Sequence, residues 1–211
     1  MTTWLEPISV QVPADLAAAI DGHPLLLQSL VQRGLTDPQT ARAFLDSNAY
    51  TPTSAAELPG MEQAVARLQR ALATGETIAV WGDFDVDGQT STALLVSALR
   101  RLGGQVLYHI PRRESEGHGV NVANLERLAR QGARLFLTCD TGVSAHAAAQ
   151  AAREWGLDYL VTDHHELPAE LPLATAIVNP KFLPVAHPLS SLPGVGVAYK
   201  VIEALYGSLG R

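Results

Sequence analysis

From Glu76 onward the chain alternates short apolar runs with helix-length segments, and this alternation restricts it to an α/β fold. TIAVW (77–81), QVLYHI (105–110), RLFLTC (134–139) and LDYLVT (157–162) have the length and composition of buried strands, and TAIVN (175–179) is a fifth, weaker candidate. TSTALLVSALRRLG (90–103), NVANLERLARQG (121–132) and SAHAAAQAAREWG (144–156) lie between them and read as helices. Strands separated by helices of this length form βαβ units with right-handed crossovers. The expectation is therefore a parallel five-stranded sheet flanked by helices. The near-continuous apolar strands agree, because such a sheet is covered on both faces.

Before Glu76 the pattern is helical. HPLLLQSLVQRG (23–34) repeats its apolar residues at helical spacing, and DPQTARAFLD (37–46) opens with Asp37 as N-cap and Pro38 in the first turn. SNAYTPTSAAELPG (47–60) has the Ser, Thr, Pro and Gly of a linker, and MEQAVARLQRALATG (61–75) is a helix stopped by Gly75. The end, SLPGVGVAYKVIEALYGSLGR, is a Gly-rich turn running into a helix. The expected organisation is a short helical amino-terminal segment, 1–60, followed by an α/β domain, 61–211.

Composition narrows the class. Hydrophobic content of 47% with 17% charged residues is that of a globular protein. The single cysteine, Cys139, excludes an internal disulfide and suits a reducing cytoplasm. The first residues lack a secretory pattern, and no apolar run is long enough to cross a bilayer. A soluble cytoplasmic protein without membrane contact is expected. The formal net charge of −6 argues against binding nucleic acid by bulk electrostatics. Contact with phosphate would then rest on bound cations and a few local Arg or Lys residues.

Ligands of an open parallel sheet bind beyond the carboxyl ends of its strands. The first strand runs into GDFDVDG (82–88), the third into CDTG (139–142) and the fourth into TDHHE (162–166). Asp83, Asp85, Asp87, Asp140, Asp163, His164 and His165 are thus delivered to one edge. Carboxylates crowded together raise one another's pKa and destabilise a fold unless cations intervene. With an extended backbone, Asp85 and Asp87 would point the same way, each holding one ion of a pair with Asp140 bridging. Oxygen donors with imidazole suit Mn²⁺, with Mg²⁺ as a harder alternative; Zn²⁺ is disfavoured because Asp140, beside Cys139, is the better ligand. Paired ions of this kind promote in-line displacement at phosphorus. Gly82 and Gly88 would allow tight turns around the acidic loop, and the helix opening after Gly88 could offer free N–H groups to an anion.

These motifs resemble the DHH phosphoesterase superfamily, named for a triplet present here as Asp163, His164 and His165. Within it they resemble the RecJ family of single-strand-specific 5′→3′ DNA exonucleases. GDFDVDGQTST (82–92) resembles that family's first motif and TCDTGVS (138–144) its second. IPRRESEGHGVN (110–121) resembles the stretch after its second strand, with His118 where Tyr is more usual. LPGMEQAVARLQRAL (58–72) and LPGVGVAYKVIEAL (192–205) resemble the helix before the first motif and the segment before the fourth. The resemblance implies a DHH phosphoesterase domain holding two Mn²⁺ or Mg²⁺ ions in the complete enzyme, through Asp85, Asp87, Asp140 and His164. It implies that Asp163 and Asp83 support the site and that His165 faces the scissile phosphate as a catalytic group. Some members carry a His where this chain has Trp81, so one ligand is either absent or replaced by Asp83. Single-stranded DNA would be the substrate, in repair and recombination, with single-strand-binding or recombination proteins as partners. The family's fourth motif adds a metal-binding Asp beyond the last helix, whereas this sequence stops at Arg211; the expectation is a domain cut before that motif, weakly active or inactive.

Arg112, Arg113 and His118 in this reading form a substrate-facing loop, and Gly194 and Lys200 a phosphate-contacting helix start. The plainer alternatives are a solvated basic turn and a tightly packed glycine turn. His109, inside a strand, reads as structural and His146 as a helix-face residue, while His23 and His187 show no partner pattern. Two further functions compete: hydrolysis of short oligonucleotides, cyclic dinucleotides or pyrophosphate, and non-catalytic nucleic-acid binding.

Overall fold

A computed structural model describes residues 9–211. Those residues of the amino terminus that were read above for a secretory pattern and fall within 1–8 lie outside it. The contacts divide into two compact units, one ending at Pro52 and the other spanning Thr53–Arg211.

In the first unit, α1 (Ala14–Ala19), α2 (Pro24–Gln32) and α3 (Pro38–Leu45) bury Leu16, Ile20, Leu30 and Ala41 among themselves. Asp37 caps α3 by accepting from Thr40 N at 2.8 Å, with Pro38 in the first turn. His23, which shows no partner in the sequence, caps α2 by accepting from Leu25 N at 3.2 Å.

The second unit begins eight residues before the expected boundary. Ala55 and Leu58, in the stretch read as linker, are buried with Met61, Leu68 and Val201 and so belong to the sheet's core. The elements are α4 (Met61–Thr74), β1 (Thr77–Trp81), α5 (Val86–Arg101), β2 (Gln105–His109), α6 (Arg113–Glu116), α7 (Val122–Arg130), β3 (Ala133–Cys139), α8 (His146–Glu154), β4 (Asp158–Thr162), β5 (Ala176–Val178) and α9 (Gly194–Ser208). The five strands pair in parallel in the order β2-β1-β3-β4-β5. Gly75, at φ 69°, ends α4 in the left-handed conformation that glycine adopts without steric cost.

Side chains alternate across each strand, so one strand feeds two cores. Ile78 and Val80 face α4, α5 and α9, meeting Leu68, Leu95, Leu99 and Val201; Ala79 and Trp81 face α7 and α8, meeting Leu125, Leu128 and Ala149. QVLYHI departs from its expected burial on both faces: β2 is an edge strand, and Tyr108 is 55% exposed. From β1 the chain first adds β2 on one side and then β3 on the other. The loops after β1 and β3 therefore diverge, leaving a crevice at the carboxyl edge between them. No helix among the described residues is long and apolar enough to cross a membrane.

Candidate metal centre

The acidic loop after β1 is built differently from the extended DVD segment that the sequence suggests. Asp85 is extended (φ −82°, ψ −179°), but α5 already starts at Val86, four residues before the expected start. Asp85 is its N-cap, Oδ1 accepting from Gly88 N at 3.0 Å. Gly88 therefore sits inside the first turn with its amide engaged, not before a helix with free N–H groups. A Cβ there would lie 2.5–2.6 Å from the Asp83 backbone, so the glycine serves close approach of helix and loop.

Because Asp87 leaves from the helix's first turn, it points elsewhere than Asp85. Its Oδ2 accepts from Gly194 N and its Oδ1 from Val195 N, both at 2.7 Å. The N-cap position of α9 is Pro193, whose side chain cannot cap, and Asp87 supplies the acceptors from a distant element. Asp87 still faces the centre, with Oδ2 3.7 Å from His164 Nε2.

Asp140 occupies the middle. It follows β3, is 2% exposed, and is the one non-glycine described residue with positive φ, at 60°. Such a conformation is uncommon for a side-chain-bearing residue and stores strain. Its Oδ1 is buried without a hydrogen-bond partner, although His164 Nε2 lies 3.0 Å away. Burial, with Asp87 and then Asp85 nearby, pushes the Asp140 carboxyl up to about 7. Burial and Asp85 likewise raise Asp83.

Asp163, 1% exposed, orients the triplet. Its Oδ1 accepts from His164 N (2.7 Å), His165 N (3.2 Å) and His165 Nδ1 (2.7 Å), while Oδ2 accepts from Val143 N (2.9 Å). Burial pushes this carboxyl up, but the bonds from His165 and Val143 outweigh it and hold it below the usual range. In return, the Asp163 bond raises His165 to about 9. His165 is consequently charged at neutral pH, with its ring largely exposed to the crevice.

Ligating atoms of Asp83, Asp85 and Asp140 lie within 4.8 Å of one another, as do those of Asp140, His164 and His165. Asp140 is common to both groups. A buried carboxylate common to two groups of oxygen and imidazole donors, one of its oxygens accepting no hydrogen bond, fits a hard or borderline divalent cation. Cys139 points away into the core, bonded to Thr92 at 3.4 Å, and burial pushes its thiol up to about 12. It is no ligand. Trp81 fills the position beneath the loop with its ring against His109.

Beside the donors lies a cleft of about 260 Å³ lined by Asp83, His118, Asp140, Gly142, Asp163 and His165. His118 and Arg113 approach it through a residue that the sequence reading did not single out. Phe84 lies between them, its ring 5.1 Å from the His118 ring and 4.9 Å from the Arg113 guanidinium. Its place inside DFDVDG, flanked by acids on a solvated loop, was the available signal. Arg112 is exposed at the start of α6 and caps nothing.

Two expected substrate contacts are corrected. Lys200 is 6% exposed, and its Nζ donates to Thr53 O and Glu203 Oε2, both at 2.8 Å, inside the unit. Gly194 spends its N–H on Asp87, and a Cβ there would lie 2.7 Å from Asp140 Cβ and Cγ. That glycine packs α9 against the acidic cluster instead of meeting phosphate.

Comparison with known proteins agrees with this geometry. The DHH family, N-terminal domain, matches residues 77–210. The chain is 41% identical over 189 residues to the single-stranded-DNA-specific exonuclease RecJ of Bacillus subtilis, covering 88% of this chain and 24% of that protein. It is 40% identical over 198 residues to RecJ of Escherichia coli, covering 93% and 33%. It thus spans about a quarter to a third of the length of these relatives. Among solved structures, RecJ of Thermus thermophilus in complex with Mn²⁺ superposes with a TM-score of 0.73 at 31% identity, covering 92% of this chain and 27% of that one. An exonuclease RecJ bound to manganese gives 0.69 at 37%, covering 75% and 40%. With the match spanning all five strands and every strand-end motif, the chain belongs to the DHH family.

Proposed function

We propose that this chain is the metal-binding part of a phosphodiesterase that hydrolyses single-stranded DNA from the 5′ end with Mn²⁺ or Mg²⁺. The observation that carries the reading is Asp140: a buried, strained carboxylate, one oxygen of which accepts no hydrogen bond, common to both donor groups. Asp85, Asp87, Asp140 and His164 are the proposed ligands, with Asp83 as a further donor on the same side. Asp87 would exchange its α9 amides for an ion or hold both. Divalent ions held there would supply positive charge to the phosphate and acidify a water.

The remaining steps belong to the chain. Asp163 holds His165 charged, and the imidazolium is set to donate a proton or a hydrogen bond at the departing oxygen. Asp83 and Asp140 carry the negative charge that His165 faces and that cations must offset. Arg113 and His118, packed against Phe84, bind the strand beside the cleft. Work on single-stranded DNA in the cytoplasm, alongside single-strand-binding or recombination proteins, accords with this chemistry. A 5′-labelled single-stranded oligonucleotide incubated with the chain and Mn²⁺ should be shortened, and Asp140→Ala should abolish the reaction and weaken calorimetric Mn²⁺ binding. Activity surviving in that variant refutes the site, and preference for dinucleotides over longer strands refutes the substrate.

A further inference from the structure

The segment 110–121 joins β2 to α7 and carries Arg113 and His118; Val120 packs on the core near its end, but the two glycines around His118 do not. Gly117 (φ 73°) and Gly119 (φ 81°) have open space where side chains would stand. Pro111 is buried at its start, and Glu116 ties its middle by hydrogen bonds. Glu116 Oε2 accepts from His109 Nε2 at 2.6 Å and from Asn124 Nδ2 at 3.0 Å. These donors sit at the end of β2 and in the first turn of α7, the two elements that the segment connects. Arg127 donates to His109 Nδ1 at 3.2 Å, which leaves Nε2 as the protonated nitrogen that donates to Glu116. The His109 ring rests on Trp81, the residue before Gly82 (centroids 4.5 Å apart), and His109 O accepts from Gly82 N at 3.0 Å. The bond from His109 holds the Glu116 carboxyl below its ordinary range.

We infer that Glu116 is a positioning residue: it anchors the 110–121 segment to His109 and Asn124 so that His118 and Arg113 stay on Phe84, beside the cleft. Glu116 itself touches none of the proposed ligands, so its contribution falls on substrate binding and leaves the chemical step alone. The inference rests on the exonuclease reading for its substrate and on the hydrogen bonds for its mechanics. His109 is thereby more than filler in a strand; it joins the acidic motif's base to the loop.

The test uses the whole chain and three variants, Glu116→Ala, Glu116→Gln and Asn124→Ala. Glu116→Ala should raise KM for a single-stranded oligonucleotide about tenfold with kcat within about twofold, since the loop is displaced while the metal donors stay. Glu116→Gln, whose amide oxygen can accept from both donors, should stay within about twofold of the parent, and Asn124→Ala should raise KM by about threefold. Hydrogen exchange at the amides of 112–121 should quicken in Glu116→Ala and return in Glu116→Gln, with calorimetric Mn²⁺ affinity constant throughout. Unchanged exchange in Glu116→Ala, or a fall in kcat at constant KM, overturns the inference. Absence of DNA turnover by the parent chain refutes the exonuclease reading instead, and exchange alone then decides the anchor.

Discussion

Asp163→Asn keeps the volume of the side chain and removes its charge and one acceptor. The native carboxylate divides its work: three donors reach Oδ1 and the Val143 amide reaches Oδ2. An asparagine can keep its oxygen on one side only. On the three-donor side its NH₂ group meets the Val143 N–H, leaving a buried donor unpaired at about 1–3 kcal/mol. The bond to His165 also loses its charge assistance, for a combined cost of about 2–4 kcal/mol. The pH dependence follows from linkage. His165 titrates at about 9 in the folded protein, above the ordinary histidine value of about 6.5. Its pairing with Asp163 thus contributes stability that is complete below pH ~6.5 and lost as pH rises through 9. Histidine ring-proton NMR on metal-free protein, with urea denaturation at pH ~6 and ~9.5, reads both effects. In Asp163→Asn, His165 should titrate near ~6.5, and the stability lost by the parent between the two pH values should shrink to the part that Asp140, titrating at about 7, contributes. A variant His165 still titrating near 9, or unchanged stability at the lower pH, refutes the reasoning.

Gly194→Ala forces a methyl group against Asp140 and should displace the start of α9 from Asp87, costing about 2–4 kcal/mol in chemical denaturation and at least tenfold in Mn²⁺ affinity. Asp140, pushed up to about 7, holds a proton that an incoming cation must displace, so calorimetric Mn²⁺ affinity should climb as pH rises through 7 with proton release. By the same shift, metal-free protein should lose stability between pH ~4 and 7, because the folded state holds the proton more tightly there than the unfolded chain. Arg67 is 6% exposed and pairs with Glu76 and Asp158 at the sheet's opposite edge; Arg67→Met should cost about 2–4 kcal/mol in thermal unfolding without altering Mn²⁺ binding.

The strands and their common direction were legible because each is an apolar run ended by a change of pattern, and the runs of β1, β3 and β4 each ended in an acid or the DHH triplet. What the sequence could not show were pairings between distant residues. Asp87 read as the twin of Asp85 because spacing of two suggests a shared direction, whereas the helix begins between them and turns Asp87 to an amide 107 residues away. Lys200 read as a phosphate contact because lysine near a Gly-rich turn often is one; its partner, Thr53 O, lies 147 residues earlier. β2 read as buried because an apolar run looks the same at an edge as in the middle. Glu116 passed unnoticed because its partners are a strand-end histidine and a helix-cap asparagine, neither unusual locally.

The bond between Asp87 and the start of α9 also bears on the order of assembly. The donors come from the ends of β1, β3 and β4, and the last piece to meet them is Gly194, near the end of the described sheet domain. Loop closure over such separations delays the contacts that depend on it, so the centre matures only after the sheet has paired. A cation that needs all these donors has little to grasp in the folding transition state. Its stabilisation should appear on the unfolding limb of a chevron, lengthening the life of the native state while leaving the speed of its formation unchanged.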